Sequence, residues 1–350
     1  YYIGQGLRTQ IVNVEEVYDT FSYGIFNPEA IRSFLAYAYT SWTQPAPTYV
    51  LLVGDGHYDF KGYTGREETM YIPPYLADVD PWLGETAADN RYVAVSGDDI
   101  LPDMHLGRFP VKTIAETTDI VNKALGYMQN PPVTEWNRDI LFVADNPDAA
   151  GNFYAYSDAV ADYFVPPLYS AQKVYYLQSP YTAVDLARTA ILNAINEGRL
   201  MVNFVGHGAR TYWAGEQLLR IADIATMNNV DKLTFMVPMT CMEGYFIHPS
   251  GSTDLSAISE RLVREPNKAA IASWSPTGLG LASGHDIMNK ALYQAVFYDH
   301  IIELGPATTL GKLAMVGQGH DELIDAYILF GDPALALNVM KADLQIDKTV

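Results

Sequence analysis

Short apolar runs rich in β-branched residues recur along this chain, each separated from the next by a stretch of helical periodicity. Tyr49–Val53, Asp139–Ala144, Leu200–Val205, Leu233–Thr240 and Ala269–Ser273 lack the polar/apolar alternation of a half-buried strand, so they read as strands buried on both faces. Helical spacing marks Pro28–Trp42, Ile114–Met128, Phe153–Phe164, Val184–Asn196, Leu255–Arg264, Gly284–His300 and Ala307–Gln318. Lys173–Leu177 and Ala334–Val339 complete the expected strands. Strands that alternate with helices pair in parallel through right-handed crossovers. The expected fold class is therefore α/β, with mostly parallel sheets flanked by helices.

Asn130-Pro131-Pro132 is the clearest linker signal, which predicts two side-by-side α/β units over 1–132 and 133–340. Residues 341–350 then form a tail or the start of a further domain. Residues 60–100, rich in Gly, Pro, Tyr and Asp, read as a long irregular excursion of the first unit. The chain opens on Tyr1 without Met, as a domain excised from a longer protein would.

The formal charge of −19 argues against a nucleic-acid partner, because phosphate binding needs a basic footprint. The same charge favours encounter with cationic substrates. No run of about 18 apolar residues is present, so no membrane span is expected. One cysteine forbids an internal disulfide, and 25 Tyr against 22 Lys plus Arg leans toward an extracellular or cell-surface setting. Acids cluster at Asp78, Asp80, Glu85 and Asp89, and again at Asp98, Asp99 and Asp103, which suggests a structural calcium ion, although no stretch matches an EF-hand loop. Gly54-Asp55-Gly56 lacks the Lys-Ser/Thr of a phosphate loop, and no histidine pair has zinc-ligand spacing.

Cys241, the single cysteine, stands in Thr240-Cys241-Met242-Glu243-Gly244, where the run Leu233–Thr240 ends. Leu200–Val205 ends likewise in Gly206-His207-Gly208. Two neighbouring buried strands that deliver a thiol and an imidazole at their C-terminal ends place both at the ligand-binding edge of an α/β sheet. That is the arrangement of a cysteine nucleophile with a histidine base. A lone cysteine packs equally well as a small hydrophobe. The His-Gly loop in the matching position turns the reading toward catalysis, whereas His57 reads as a turn residue.

Seven segments in order along the chain resemble the gingipain family of cysteine peptidases, which has a caspase-like fold. They are Leu51–Asp55, Gly107–Phe109, Asn203–Gly208, Cys241–Phe246, Ala270–Ser273, His285–Asn289 and Phe330–Ala334. The resemblance implies a first unit without catalytic residues and a second that carries the dyad. It puts the nucleophile on Cys241, the general acid and base on His207, and the oxyanion hole on the backbone N–H groups of Gly208 and Cys241. It further implies that Asp145 orients the imidazole and that Asp158 is the acid of the pocket for the side chain before the cut bond. Val205 and Met239 match lining positions of that pocket, and Trp274 lies close to another. A thiol is partly ionised near neutral pH, so the imidazole's main task is to protonate the leaving amine.

The expected protein is thus a monomeric cysteine endopeptidase acting on polypeptides, with preference for Arg or Lys before the cut bond. Its chemistry requires no cofactor. The same dyad serves a sortase-like transpeptidase, in which an amine resolves the acyl-enzyme. A non-catalytic binding module is the reading from another class, and intact His207, Gly208 and Cys241 argue against it.

Overall fold

The computed structural model of the chain describes residues 1–66, 68–132, 134–251 and 254–340, so the expected tail at 341–350 lies outside the described residues. In the first unit, α1 (Val14–Ser22) and α2 (Pro28–Ser41) precede β1 (Tyr49–Val53), a hairpin of β2 (Leu76–Asp80) and β3 (Gly84–Ala87), β4 (His105–Phe109) and α3 (Ile114–Gln129). Local chemistry sets the helix starts. Asn27 caps α2 by accepting the N–H of Glu29 at 3.0 Å, with Pro28 in the first turn, and Thr113 accepts the N–H of Glu116 at the start of α3.

The second unit runs through β5 (Asp139–Ala144), α4 (Phe153–Tyr163), β6 (Ser170–Tyr175), α5 (Val184–Glu197) and β7 (Met201–Val205). Three two-residue strands follow, β8 (Gly208–Ala209), β9 (Tyr212–Trp213) and β10 (Leu219–Arg220). Then come β11 (Thr234–Met239), α6 (Ile258–Arg264), β12 (Ala270–Pro276), α7 (Ala282–Phe297), α8 (Leu304–Leu313), α9 (Glu322–Ala326) and β13 (Tyr327–Phe330).

Strands from both units join in one eight-stranded sheet, ordered β1-β4-β13-β12-β11-β7-β5-β6. Helices cover both faces, which is why the strand sequences are continuously apolar: Ile140, Phe142 and Ala144 enter one core cluster while Leu141 and Val143 enter the other. All pairings in this sheet are parallel except β12–β13. That single reversal turns β13, β4 and β1 over relative to β12, β11, β7, β5 and β6. Residues following β1, among them His57, therefore leave by the edge opposite to the one reached by β7 and β11.

Several expectations are corrected here. The last strand is Tyr327–Phe330; the apolar run Ala334–Val339 instead lies along the start of α8, where Leu304 N–H donates to Leu335 O at 2.9 Å. Residues 60–100 are not irregular throughout, since they contain the β2–β3 hairpin. The edge strand β6 lies over Ser170–Tyr175 rather than Lys173–Leu177, and α1 is a helix beyond those expected. No helix among the described residues is long and apolar enough to cross a membrane.

Candidate active site

The central strands β7 and β11 pair in register, Val205 opposite Met239, at the usual spacing of about 4.8 Å between neighbouring strands. Two residues beyond each come His207 and Cys241. Both expected functional groups thus leave adjacent strands at the same sheet edge. Val205 and Met239 themselves are 3% and 1% exposed and belong to the core beneath the site.

His207 is followed at once by β8 and β9, where Gly208 pairs with Trp213 and Ala214 N–H donates to His207 O at 2.7 Å. Gly208 passes against the Cys241 loop: a Cβ there would run into the Thr240 side chain and lie 3.0 Å from Cys241 O. Only glycine lets the two loops approach this closely. The His207 ring is half exposed and stands edge-on to Phe153, with centroids 5.3 Å apart. Its Nε2 lies 2.8 Å from Asp148 Oδ2, and this hydrogen bond holds the Asp148 carboxyl below the usual carboxylate range.

Asp145 does not reach the ring. Its Oδ2 accepts the backbone N–H of His207 at 3.3 Å and its Oδ1 that of Asn146 at 2.8 Å, and burial pushes its carboxyl up. The expected orienting contact is made by Asp148 instead, from an irregular stretch after β5 that carries no periodicity to mark it.

The Cys241 loop is stitched to the end of β12. Met242 N–H donates to Gly278 O at 2.9 Å and Gly244 N–H to Pro276 O at 2.7 Å, while Met242 takes a φ of +61°, a left-handed conformation unusual for a side chain of its size. Cys241 Sγ donates to Gly280 O at 3.6 Å. Burial pushes the thiol up, with the Asp80 charge adding to the effect and the Gly280 contact opposing it. A thiol already ionised at rest, as the residue type alone suggested, is therefore not what this environment favours.

Glu243 was not marked from sequence. It is fully buried and accepts from Trp213 Nε1 at 3.1 Å and from Ser259 Oγ at 2.8 Å. Trp213 in turn stacks flat on Phe204, with centroids 4.6 Å apart. Glu243 thus ties the Cys241 loop to the strand partner of Gly208, and burial raises its carboxyl to about 7.

Two expected pocket residues are placed elsewhere. Asp158, on α4, is bonded to Lys173 Nζ at 2.7 Å and to Tyr175 OH at 2.8 Å, so its charge is neutralised within the chain. Trp274 is completely buried in β12 against Tyr327, within the core. Three of the acids considered for calcium have protein partners: Asp80 accepts from Trp82 and Leu83 N–H, Asp89 pairs with Arg108 at 2.7 Å, and Asp103 accepts from Val95 and Ser96 N–H. Among the described residues no three metal-ligating side chains converge, so this donor set does not fit the ion.

The mostly parallel sheet with helices on both faces, with a cysteine and a histidine at neighbouring strand ends, is a caspase-like α/β fold. The chain belongs to peptidase family C25, whose family model matches residues 1–338. Gingipain R2 of Porphyromonas gingivalis is 24% identical over 96% of this chain, and gingipain R1 of the same organism is also 24% identical over 96%. The chain spans 43% of the length of that gingipain R2 and 32% of that gingipain R1. Among solved structures, the Arg-specific cysteine proteinase gingipain R superimposes with a TM-score of 0.73 at 19% identity, over 92% of this chain and 71% of that one. The complex of Porphyromonas gingivalis RgpB pro- and mature domains gives a TM-score of 0.76 at 20% identity, over 96% and 74%.

Proposed function

We propose that the chain is a cysteine endopeptidase in which Cys241 attacks the substrate carbonyl and His207 moves the protons. The observation that carries this reading is the placement of both residues two positions beyond paired strand ends, with His207 Nε2 held at 2.8 Å by Asp148. Arrival of a substrate carbonyl displaces the thiol from Gly280 O, and His207 accepts its proton as the C–S bond forms. The tetrahedral oxyanion is stabilised by the backbone N–H groups of Gly208 and Cys241, each worth about 3–4 kcal/mol of barrier in sites of this kind. His207 then returns the proton to the leaving amine, and water resolves the thioester by the same route in reverse. These steps require no cofactor.

The substrates we propose are polypeptides cut after Arg or Lys, outside the cell or at its surface. Support for the basic preference comes from relatives described as an Arg-specific proteinase and as Lys-gingipains, and from the net charge of −19. Asp158 gives it none, being already paired with Lys173. A peptide library varied at the residue before the scissile bond tests this. Turnover of Arg and Lys peptides that disappears in Cys241→Ala supports the proposal; turnover retained in that variant removes it.

A further inference from the structure

The β2–β3 hairpin belongs to the unit expected to be without a catalytic role, yet it reaches the nucleophile. Asp80, at the end of β2, is 3% exposed. Its Oδ1 closes the hairpin tip by accepting the N–H groups of Trp82 at 2.8 Å and Leu83 at 2.9 Å. Its Oδ2 accepts the N–H of Leu279 at 2.5 Å, a contact between residues 199 positions apart. Gly278 makes that approach possible, since a Cβ there would collide with the same oxygen. Two threonines bolt the hairpin on: Thr86 Oγ1 donates to Thr277 O at 2.6 Å and Thr277 Oγ1 to Ala87 O at 2.6 Å.

The segment so fixed is the one that receives Cys241. Gly278 O accepts Met242 N–H, and Gly280 O accepts the thiol itself. We propose that Asp80 is a positioning residue for Cys241, acting through the 277–280 loop to hold the resting thiol in one place. This rests on the peptidase reading for its consequence in turnover, but not for its effect on the thiol. Among the described residues, His207 stands at the neighbouring strand end and is the imidazole assigned to the thiol proton. Asp80 faces the sulfur from the hairpin and Tyr327 from β13, His285 of α7 lies against Gly280, and Glu243 follows in its own loop. The carboxylate of Asp80 is the group whose charge opposes a thiolate.

Asp80→Asn tests the proposal. The amide oxygen can still close the hairpin tip, but its NH₂ meets the Leu279 N–H donor to donor, and the charge is gone. The pH profile of Cys241 alkylation by iodoacetamide should shift to lower pH. Peptide kcat should fall about tenfold or more as the loop loosens, with KM changed less than about twofold. Asp78→Asn, which removes the charge of an exposed residue of the same strand, should leave both readouts in place. A folded Asp80→Asn with unchanged alkylation profile and kcat overturns the proposal. A shifted profile in a protein whose wild type cleaves no peptide upholds the positioning and overturns the peptidase reading. Should Asp80→Asn not fold, Thr86→Val removes one bolt and keeps the charge. A lower kcat with an unmoved profile then supports the proposal, and an unaltered kcat contradicts it.

Discussion

Asp148 Oδ2 lies 2.8 Å from His207 Nε2, while Asp145, three residues earlier, meets only the backbone N–H of the same histidine at 3.3 Å. The two acids therefore divide the work: one fixes the ring and the other fixes the loop. Asp148→Ala should lower kcat by about tenfold to a hundredfold with KM little changed, because the ring loses its orienting partner. Asp145→Asn keeps an acceptor for His207 N–H and should cost less than about fivefold. Steady-state kinetics of both variants would show the reverse order if Asp145 were the orienting group.

Glu243 supplies a pH test with a definite sign. Its folded carboxyl is raised to about 7, so the unfolded chain gives up this proton first as pH rises. The stability tied to protonated Glu243 is complete below about pH 4 and declines until about pH 7. Glu243→Gln has no such proton. Its stability relative to wild type should increase by about 3 kcal/mol between those limits, measured by urea unfolding at each pH. A difference independent of pH would mean that the Glu243 carboxyl titrates alike in the folded and the unfolded chain.

Gly208→Ala should leave the fold intact and cut kcat by about a hundredfold to a thousandfold, since the new methyl pushes the Gly208 strand away from Thr240 and Cys241. Circular dichroism with single-turnover kinetics separates this from unfolding. Wild-type turnover in the variant would remove Gly208 from the oxyanion site.

Asp158→Ala is expected to leave the preference for the residue before the cut bond unchanged. Its ion pair with Lys173 is solvent-accessible on both sides, and such pairs contribute about 0–1 kcal/mol. A peptide panel in which the variant loses its discrimination would restore Asp158 to the pocket.

What the sequence made legible follows from range. Cys241 and His207 stood out because each ends a buried apolar run, and buried parallel strands announce themselves without knowledge of their neighbours. Asp148 was hidden in a stretch with no periodicity, where nothing distinguishes one acid from the next. Trp274 misled because nearness in sequence to the Ala270–Ser273 motif does not say which face of β12 a residue occupies. The reversal at β12–β13 and the Asp80–Leu279 contact depend on pairings across more than a hundred residues or on short strands such as Tyr327–Phe330, beyond any local pattern.

The most direct test of the central claim is covalent trapping by a peptidyl ketone that carries Arg next to its electrophilic carbon, followed by intact-mass and peptide mapping alongside residual activity. One adduct per chain, located on Cys241, with peptide hydrolysis lost in proportion to labelling, is the predicted result. Hydrolysis that persists in fully labelled protein would contradict the assignment of Cys241 as the nucleophile.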